Sequence, residues 1–257
     1  MATNSPAGLK PFDKGDLKYI RENLCQEAIN PRDVLQDAIH YDLNEIWEDI
    51  TSWIGGLESD KYLLPDTRFG KPITAAIWER SQDFKFTIKG LSPIFIFLTV
   101  PDPITDIGTA WRSLLCTLIC EISDFISRVP SEKLSESGVH GGQFVRKYFN
   151  RDGQQRGGTG GDTLGSDDAD QTTHNVNALI ELLSALQHCE FETGYQVKKN
   201  GGTAEVKYVY VVVIDSIKRL SKSSDADYLG SFKEALGKTV ATKMGGYILF
   251  IDEKEGN

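Results

Sequence analysis

EVKYVYVVVIDSIKRL, residues 205–220, holds the densest run of β-branched and aromatic residues in the chain, from Val206 to Ile214. Such residues favour strands because their stiff side chains fit a pleated surface. The run is too short for a transmembrane helix, and Lys218 and Arg219 follow it. We predict a central buried strand with Val209, Val211 and Val213 on one face and Tyr208, Tyr210 and Val212 on the other.

The composition indicates a soluble globular protein. The chain has 257 residues, 40% of them hydrophobic and 25% charged, which is ordinary for one domain spanning residues 1–257. No stretch approaches 18 uninterrupted apolar residues, and the N-terminus has no apolar signal core. The four scattered cysteines suit a reducing compartment, so we expect a cytoplasmic resting protein.

The net charge of −9 is concentrated in an acidic N-terminal segment, residues 22–60, which is predicted to be helical. Its principal helix covers residues 31–54, where Asn30 is a plausible N-cap and Pro31 occupies the first helical position. Basic residues cluster outside this segment and offer a local surface to an anionic partner.

The remaining chain predicts two further helices and two blocks of strands. Apolar residues at helical spacing indicate helices over 106–129 and 175–189, with a mobile Gly-, Ser- and Asp-rich loop over 131–173. Apolar alternation over 72–78 and 84–89, followed by an apolar run at 94–100, indicates an antiparallel meander. We therefore expect an α+β fold with a twisted, mostly antiparallel sheet and flanking helices.

No catalytic or metal-binding pattern is found, and the prediction is a protein that is not an enzyme and has no metal or cofactor. The histidines lack metal-ligand spacing, and no nucleophile motif is present. Asp215 and Asp252, each after an apolar strand, resemble the metal-binding acid of an ATPase. Without a GxxxxGK[ST] motif we interpret them as strand-end carboxylates, and a degenerate nucleotide-binding domain remains an alternative.

Four segments in sequence order resemble the pore-forming domain of the gasdermin family. TRFGKPITAAIW with FKFTIKG (67–90) resembles its first strand pair, and IFIFLTVPDPITDIGTAWRSLL (94–115) resembles its strand–turn–helix unit. VKYVYVVVIDSIKRL (206–220) is similar to a strand reading YVVxEVxxT. GKTVATKMGGYILFI (237–251) is similar to KxTVTIPxGxxLAFRV. The length is most like the short fungal gasdermin-like regulators of cell death, and we expect no C-terminal repressor domain.

The resemblance implies a gasdermin N-terminal-domain-like fold and a membrane-binding protein that oligomerises into a β-barrel pore. Such a pore would cause lytic, pyroptosis-like cell death in self/non-self recognition (allorecognition, heterokaryon incompatibility), triggered by a partner variant rather than by proteolysis. The expected partners are an acidic phospholipid membrane and a homo-oligomer or hetero-oligomer with a related variant, not nucleic acid. When active, the protein would lie at the plasma membrane.

Two hairpins, roughly 72–100 and 207–243, would insert into the bilayer. The candidate inserting residues are Phe84, Phe86, Ile88, Val209, Val211 and Val213. The candidate lipid-binding residues are Lys10, Lys14, Lys18, Arg21, Lys198, Lys199, Lys218 and Arg219. The alternative function is a non-enzymatic, cytosolic α+β protein-interaction module.

Overall fold

The computed structural model contains both helices and strands, so the fold is broadly α+β, as the sequence predicts. The model describes residues 20–22, 24, 27–36, 44–54, 56, 61–67, 70–82, 90–126, 169–186, 194–199, 202–221, 227–243 and 246–253. The α-helices are α1 Pro31–Leu35, α2 Asn44–Trp53, α3 Gly70–Ser81, α4 Ile107–Ile126, α5 Ala169–Leu186 and α6 Tyr228–Leu236. The strands are β1 Lys61–Thr67, β2 Leu91–Thr99, β3 Gly194–Lys199, β4 Gly202–Asp215 and β5 Tyr247–Glu253. A 3₁₀ helix, Ile217–Leu220, follows β4, and a π-helix, Gly237–Lys243, follows α6.

Four of the strands form a parallel sheet in the order β1-β5-β4-β2. The fifth, β3, pairs antiparallel with the first half of β4, so that 194–199 and 202–207 make a hairpin. The expectation of a mostly antiparallel sheet is therefore wrong, and the alternation of strands with helices explains why. Parallel neighbours need a crossover connection between them. Helices α4 and α5 lie between β2 and β4, and α6 lies between β4 and β5.

Two hydrophobic clusters cover the two faces of the sheet, which gives three layers. One cluster, here the α3 face, joins α1, α2 and α3 to Phe97, Val211 and Leu249. The other, the α4 face, joins α4, α5 and α6 to alternate strand residues, among them Val212. The connection from β1 to β2 passes over the α3 face, and those from β2 to β4 and β4 to β5 pass over the α4 face. This arrangement agrees with right-handed crossovers.

Burial on both faces accounts for the apolar runs of β2, β4 and β5. Residues 96–98, 209–214 and 248–249 are all buried, whichever way they point. Such continuous runs are typical of parallel strands covered by helices, whereas a half-exposed antiparallel strand alternates. The two faces predicted for β4 are confirmed where its side chains are described. Val209, Val211 and Val213 lie on the α3 face, and Tyr210 and Val212 lie on the α4 face.

The strand predicted at residues 72–78 is wrong, because this segment lies in helix α3. Ile73, Ala75 and Ile77 do alternate, but the intervening Thr74 and Ala76 are buried as well. The sheet and helices α1 and α2 cover residues 73–77. Because all five residues are buried, their alternation does not distinguish a strand from a helix. Pro72 is compatible with the first helical turn, where its missing N–H has no intrahelical acceptor.

The other elements confirm part of the sequence analysis. The strand at 94–100 and the helices at 106–129 and 175–189 are present as β2, α4 and α5, the last starting earlier, at Ala169. Asn30 caps α1, its side chain accepting the Arg32 N–H at 3.1 Å. The gasdermin-like segment 237–251 is not one continuous strand, since a π-helix precedes β5 and β5 is parallel to its neighbours. Most of the predicted loop, 131–168, and the predicted strand at 84–89 lie outside the described residues.

Gly246 is required where the chain enters β5 beside β4. A Cβ at this position would lie 2.7 Å from the Tyr210 carbonyl oxygen and 3.0 Å from a methyl of Val240. We expect Gly246→Ala to lower the free energy of unfolding by about 1–3 kcal/mol, because backbone atoms must shift to admit the methyl group. Urea denaturation measures this loss. Gly90→Asn is the control, since Gly90 has a φ of 82° in open space and Asn tolerates that backbone. Equal stability of the two variants would contradict the close approach.

Candidate functional site

The carboxyl edge of the parallel sheet holds three features that are far apart in the sequence. β2 ends at Thr99 and β4 ends at Asp215, and these two residues are paired in the register of the sheet. Helix α3 begins at Gly70, three residues after β1 ends, and therefore starts from this same edge. In open parallel sheets, ligands bind outside the carboxyl ends of the strands, so this edge is the candidate site.

Asp215 is a carboxylate that is only 1% exposed at the end of the central strand β4. The Ser216 hydroxyl donates a hydrogen bond to its Oδ1 at 2.7 Å. Alternation along β4 puts Asp215 on the same face as Val213, the α3 face. A buried carboxylate costs free energy unless polar partners surround it, so its position at the strand end suggests a role beyond packing.

Ser216 adopts a left-handed backbone conformation with a φ of 55°. A residue other than glycine in this region is uncommon, and such conformations cluster at functional sites. Here two hydrogen bonds hold it, the hydroxyl bond to Asp215 and the donation of its N–H to the Ile251 carbonyl at 3.2 Å. At this turn β4 ends and the chain changes direction, so that the following 3₁₀ helix packs on the α4 face.

Thr99 places a hydroxyl beside this carboxylate. It is 3% exposed, and its Oγ1 has no hydrogen-bond partner in the described part of the chain. Alternation along β2 puts it on the same face as Phe97, which is also the α3 face. A buried hydroxyl without a partner costs roughly 1–3 kcal/mol. Burial of the Thr99 hydroxyl therefore has a free-energy cost that its packing alone does not explain.

The start of α3 supplies the positive character of the site. Gly70 is buried and Lys71 is half-buried, and Lys71 forms no ion pair with another described residue. Backbone N–H groups in a first helical turn lack intrahelical acceptors, and the helix dipole favours an anion there. The Thr74 hydroxyl donates to the Gly70 carbonyl at 3.1 Å, which leaves the N–H groups of this turn unaffected.

Residues 65–72, PDTRFGKP, partly match the phosphate loop GxxxxGK[ST], which joins a strand to a helix. Gly70 and Lys71 match its last glycine and its lysine. Pro65 replaces the first glycine, and Pro72 replaces the Ser or Thr that would bind magnesium. The full motif is absent, as the sequence analysis states. The sequence alone does not point to this partial match, because it predicts a strand at residues 72–78. The structure shows instead that a strand, β1, precedes these residues and that they belong to a helix, α3.

The start of α4 lies after β2 at the same edge but is already occupied. The Asp106 carboxylate accepts the Thr109 N–H at 2.6 Å. Hydrogen bonds from the Thr109 side chain and backbone lower the pKa of Asp106 below its ordinary value. An internal carboxylate thus satisfies this terminus, and α3 is the better place for an external anion.

The lipid-binding residues proposed from sequence are not assembled into one patch by the described residues. Arg21 pairs with Asp124 of α4 at 3.1 Å, and Arg219 pairs with Asp102 at 3.2 Å. Lys218 is exposed, beside Arg219. Lys10, Lys14 and Lys18 lie outside the described residues, and Lys198 and Lys199 belong to β3, whose side chains also lie outside them.

The two hairpins proposed for membrane insertion are not hairpins in this structure. Residues 72–100 include helix α3 and the parallel strand β2, and residues 207–243 include β4, α6 and the π-helix. Phe84, Phe86 and Ile88 lie outside the described residues. Val209, Val211 and Val213 are buried in β4 against α3. None of the helices in the described part of the chain combines the length and apolar character that spanning a bilayer requires.

The described residues contain no cluster of three or more His, Cys, Asp or Glu side chains suited to holding a metal ion. A cation at the carboxyl edge would depend on Asp215, on hydroxyl oxygens and on a ligand that brings its own oxygens. Magnesium suits this donor set, because it retains several waters and binds one or two carboxylates together with substrate phosphates.

Comparison with known families, with characterised proteins and with solved structures gave no match to this chain. The gasdermin resemblance, the pore-forming function, the partners and the membrane localisation therefore stay predictions. The geometry of the carboxyl edge provides the independent basis for a functional proposal.

Proposed function

We propose that this protein binds a nucleoside phosphate, together with a divalent cation, at the carboxyl edge of its parallel sheet. One observation carries the proposal. A Gly-Lys pair opens helix α3 on the same face and edge of the sheet where the buried Asp215 carboxylate ends the central strand. This is the degenerate nucleotide-binding alternative of the sequence analysis, and the parallel topology now supports it.

The chemistry of the edge suits a phosphate chain rather than a free carboxylate or a neutral ligand. Lys71 and the N–H groups of Gly70 and Lys71 would hold phosphate oxygens at the helix terminus. Asp215 would repel the same oxygens unless a cation lay between them, and holding such a cation is the role of the Walker-B aspartate in nucleotide-binding proteins. The cation, when bound, neutralises charge between the carboxylate and the phosphates.

The departures from the phosphate loop limit the affinity. Pro72 has no N–H and no hydroxyl, so this turn offers one donor fewer and no side-chain ligand to magnesium. Pro65 takes the place of the first glycine and lies within β1, so only residues 68 and 69 separate the strand from α3. We therefore propose binding in the micromolar to low millimolar range, and the prediction that the protein is not an enzyme is unaffected.

Isothermal titration of the full chain with ATP and GTP tests this proposal. We expect saturable one-to-one binding with Mg²⁺, weaker by about tenfold in EDTA, the effect of losing one charge-assisted contact. Asp215→Asn keeps the shape of the side chain. It should abolish the difference between the nucleotide affinities measured in Mg²⁺ and in EDTA. Absence of binding at millimolar nucleotide would overturn the proposal.

Membrane permeabilisation is the competing proposal, and it rests on the gasdermin resemblance. Leakage from vesicles containing acidic phospholipid, measured with and without nucleotide and a candidate partner variant, separates the two. Leakage from a protein that does not bind nucleotide would favour the pore. Nucleotide binding without leakage under every pairing would favour the site described above.

A further inference from the structure

Two buried hydroxyls have no hydrogen-bond partner within the described ranges, and they occupy very different places. Thr99 ends β2 at the candidate site, whereas Ser123 lies within helix α4 and is fully buried. Buried polar groups in native proteins are nearly always paired, so each exception needs a physical explanation. Thr99 is in register with Asp215, the carboxylate of the candidate site, whereas Ser123 lies in α4, outside that site.

The register fixes the neighbours of Thr99. Adjacent strands lie about 4.8 Å apart, and paired residues in a parallel sheet project from the same face. The Thr99 side chain and the Asp215 carboxylate are therefore neighbours on the α3 face, and the Ser216 hydroxyl already donates to that carboxylate. The end of the sheet thus offers a carboxylate and hydroxyl oxygens, the hard donors that magnesium and manganese prefer.

We propose that Thr99 is a ligand-binding residue whose hydroxyl contacts the hydration shell of the divalent cation that accompanies the nucleotide. This inference rests on the proposed function and names a residue that the phosphate-loop comparison does not supply. A water bound to the cation would donate to Thr99 Oγ1 the hydrogen bond that this atom lacks without ligand. Pro72 provides no hydroxyl, so the protein would hold the cation chiefly through Asp215, and Thr99 would contact its bound water.

Thr99→Val tests this role because valine keeps the shape of threonine and removes only the hydroxyl. Without ligand, we expect the midpoint of urea denaturation to stay equal or rise, since an unpaired buried hydroxyl is lost. With Mg²⁺ present, we expect the affinity for ATP to fall about tenfold, as for loss of a contact to a charged group. In EDTA, the variant and the wild type should bind ATP equally.

Ser123→Ala is the matched control, because it removes the other unpaired hydroxyl far along α4 from the site. It should leave both the affinity and the Mg²⁺ dependence unchanged. Thr99→Ser retains a hydroxyl and should restore most of the wild-type affinity. Manganese in place of magnesium gives a second readout, because electron paramagnetic resonance reports directly how much cation is bound with ATP.

The outcomes separate this inference from the proposed function. If the wild type binds no nucleotide, the proposed function fails. If the wild type binds ATP with Mg²⁺ and Thr99→Val binds it equally well, the site stands and the role of Thr99 is refuted. A Thr99→Val variant that weakens binding equally in Mg²⁺ and in EDTA also refutes the contact to the cation, because the hydroxyl would then act elsewhere.

Discussion

Replacing Lys71 by alanine is expected to weaken ATP binding about 10- to 100-fold. Hydrogen bonds to charged groups contribute about 1.5–3 kcal/mol, and about 1.4 kcal/mol corresponds to a factor of ten in affinity. Lys71 is half-buried at the start of α3. Isothermal titration in Mg²⁺ measures the change.

Lys238→Ala is the control for the loss of one positive charge. Lys238 is exposed in the π-helix and pairs with Glu234, and its helix packs on the α4 face, away from the start of α3. This variant should bind ATP like the wild type. Equal affinities of the Lys71 variant and the wild type would contradict the assignment of the phosphate site, while equal losses in both lysine variants would indicate non-specific attraction.

Replacing Trp111 by alanine is expected to lower the free energy of unfolding by about 3–5 kcal/mol, the usual loss for a buried aromatic. Trp111 is 1% exposed, and its ring packs edge-to-face on Phe232 with centroids 5.7 Å apart. Its Nε1–H donates to the Leu220 carbonyl at 3.3 Å. One side chain thus joins α4, α6 and the 3₁₀ helix after Asp215, so truncation removes packing from three elements.

Urea denaturation gives the midpoint and slope for this variant. A folded domain has only about 5–15 kcal/mol of stability, so a loss of this size is a large fraction of the total and should clearly lower the midpoint. Trp78→Ala is the matched control, because Trp78 is half-buried on α3 and should cost less. A loss below about 1 kcal/mol for Trp111→Ala would contradict the packing described here.

The candidate site was only partly predictable from sequence. The sequence shows Asp215 as a strand-end carboxylate that resembles the metal-binding acid of an ATPase, but without a complete phosphate loop it does not predict a binding site. Thr99 carried no signal, since a threonine inside an apolar run is ordinary in a strand. Its importance depends on its register with Asp215, which joins residues more than a hundred positions apart.

The sequence by itself determined the local elements whose patterns admit one interpretation. The long apolar stripe of α4, the cap and proline that open α1, and the β-branched run of β4 follow from side-chain geometry and neighbouring residues. The continuous apolar runs of β2, β4 and β5 also contained a signal for strands buried on both faces, although the antiparallel interpretation overlooked it.

Only the tertiary structure decided the direction of the strands, the helical state of residues 72–78 and the neighbours of Asp215. Strand pairing joins distant segments, and nothing local separates a parallel from an antiparallel partner when both faces are buried. In α3, residues 73–77 are all buried, so their sequence does not distinguish a helix from an alternating strand. EVKYVYVVVID is thus part of a central strand by its own composition, but the covering helices and parallel neighbours make Asp215, at its end, part of a candidate site.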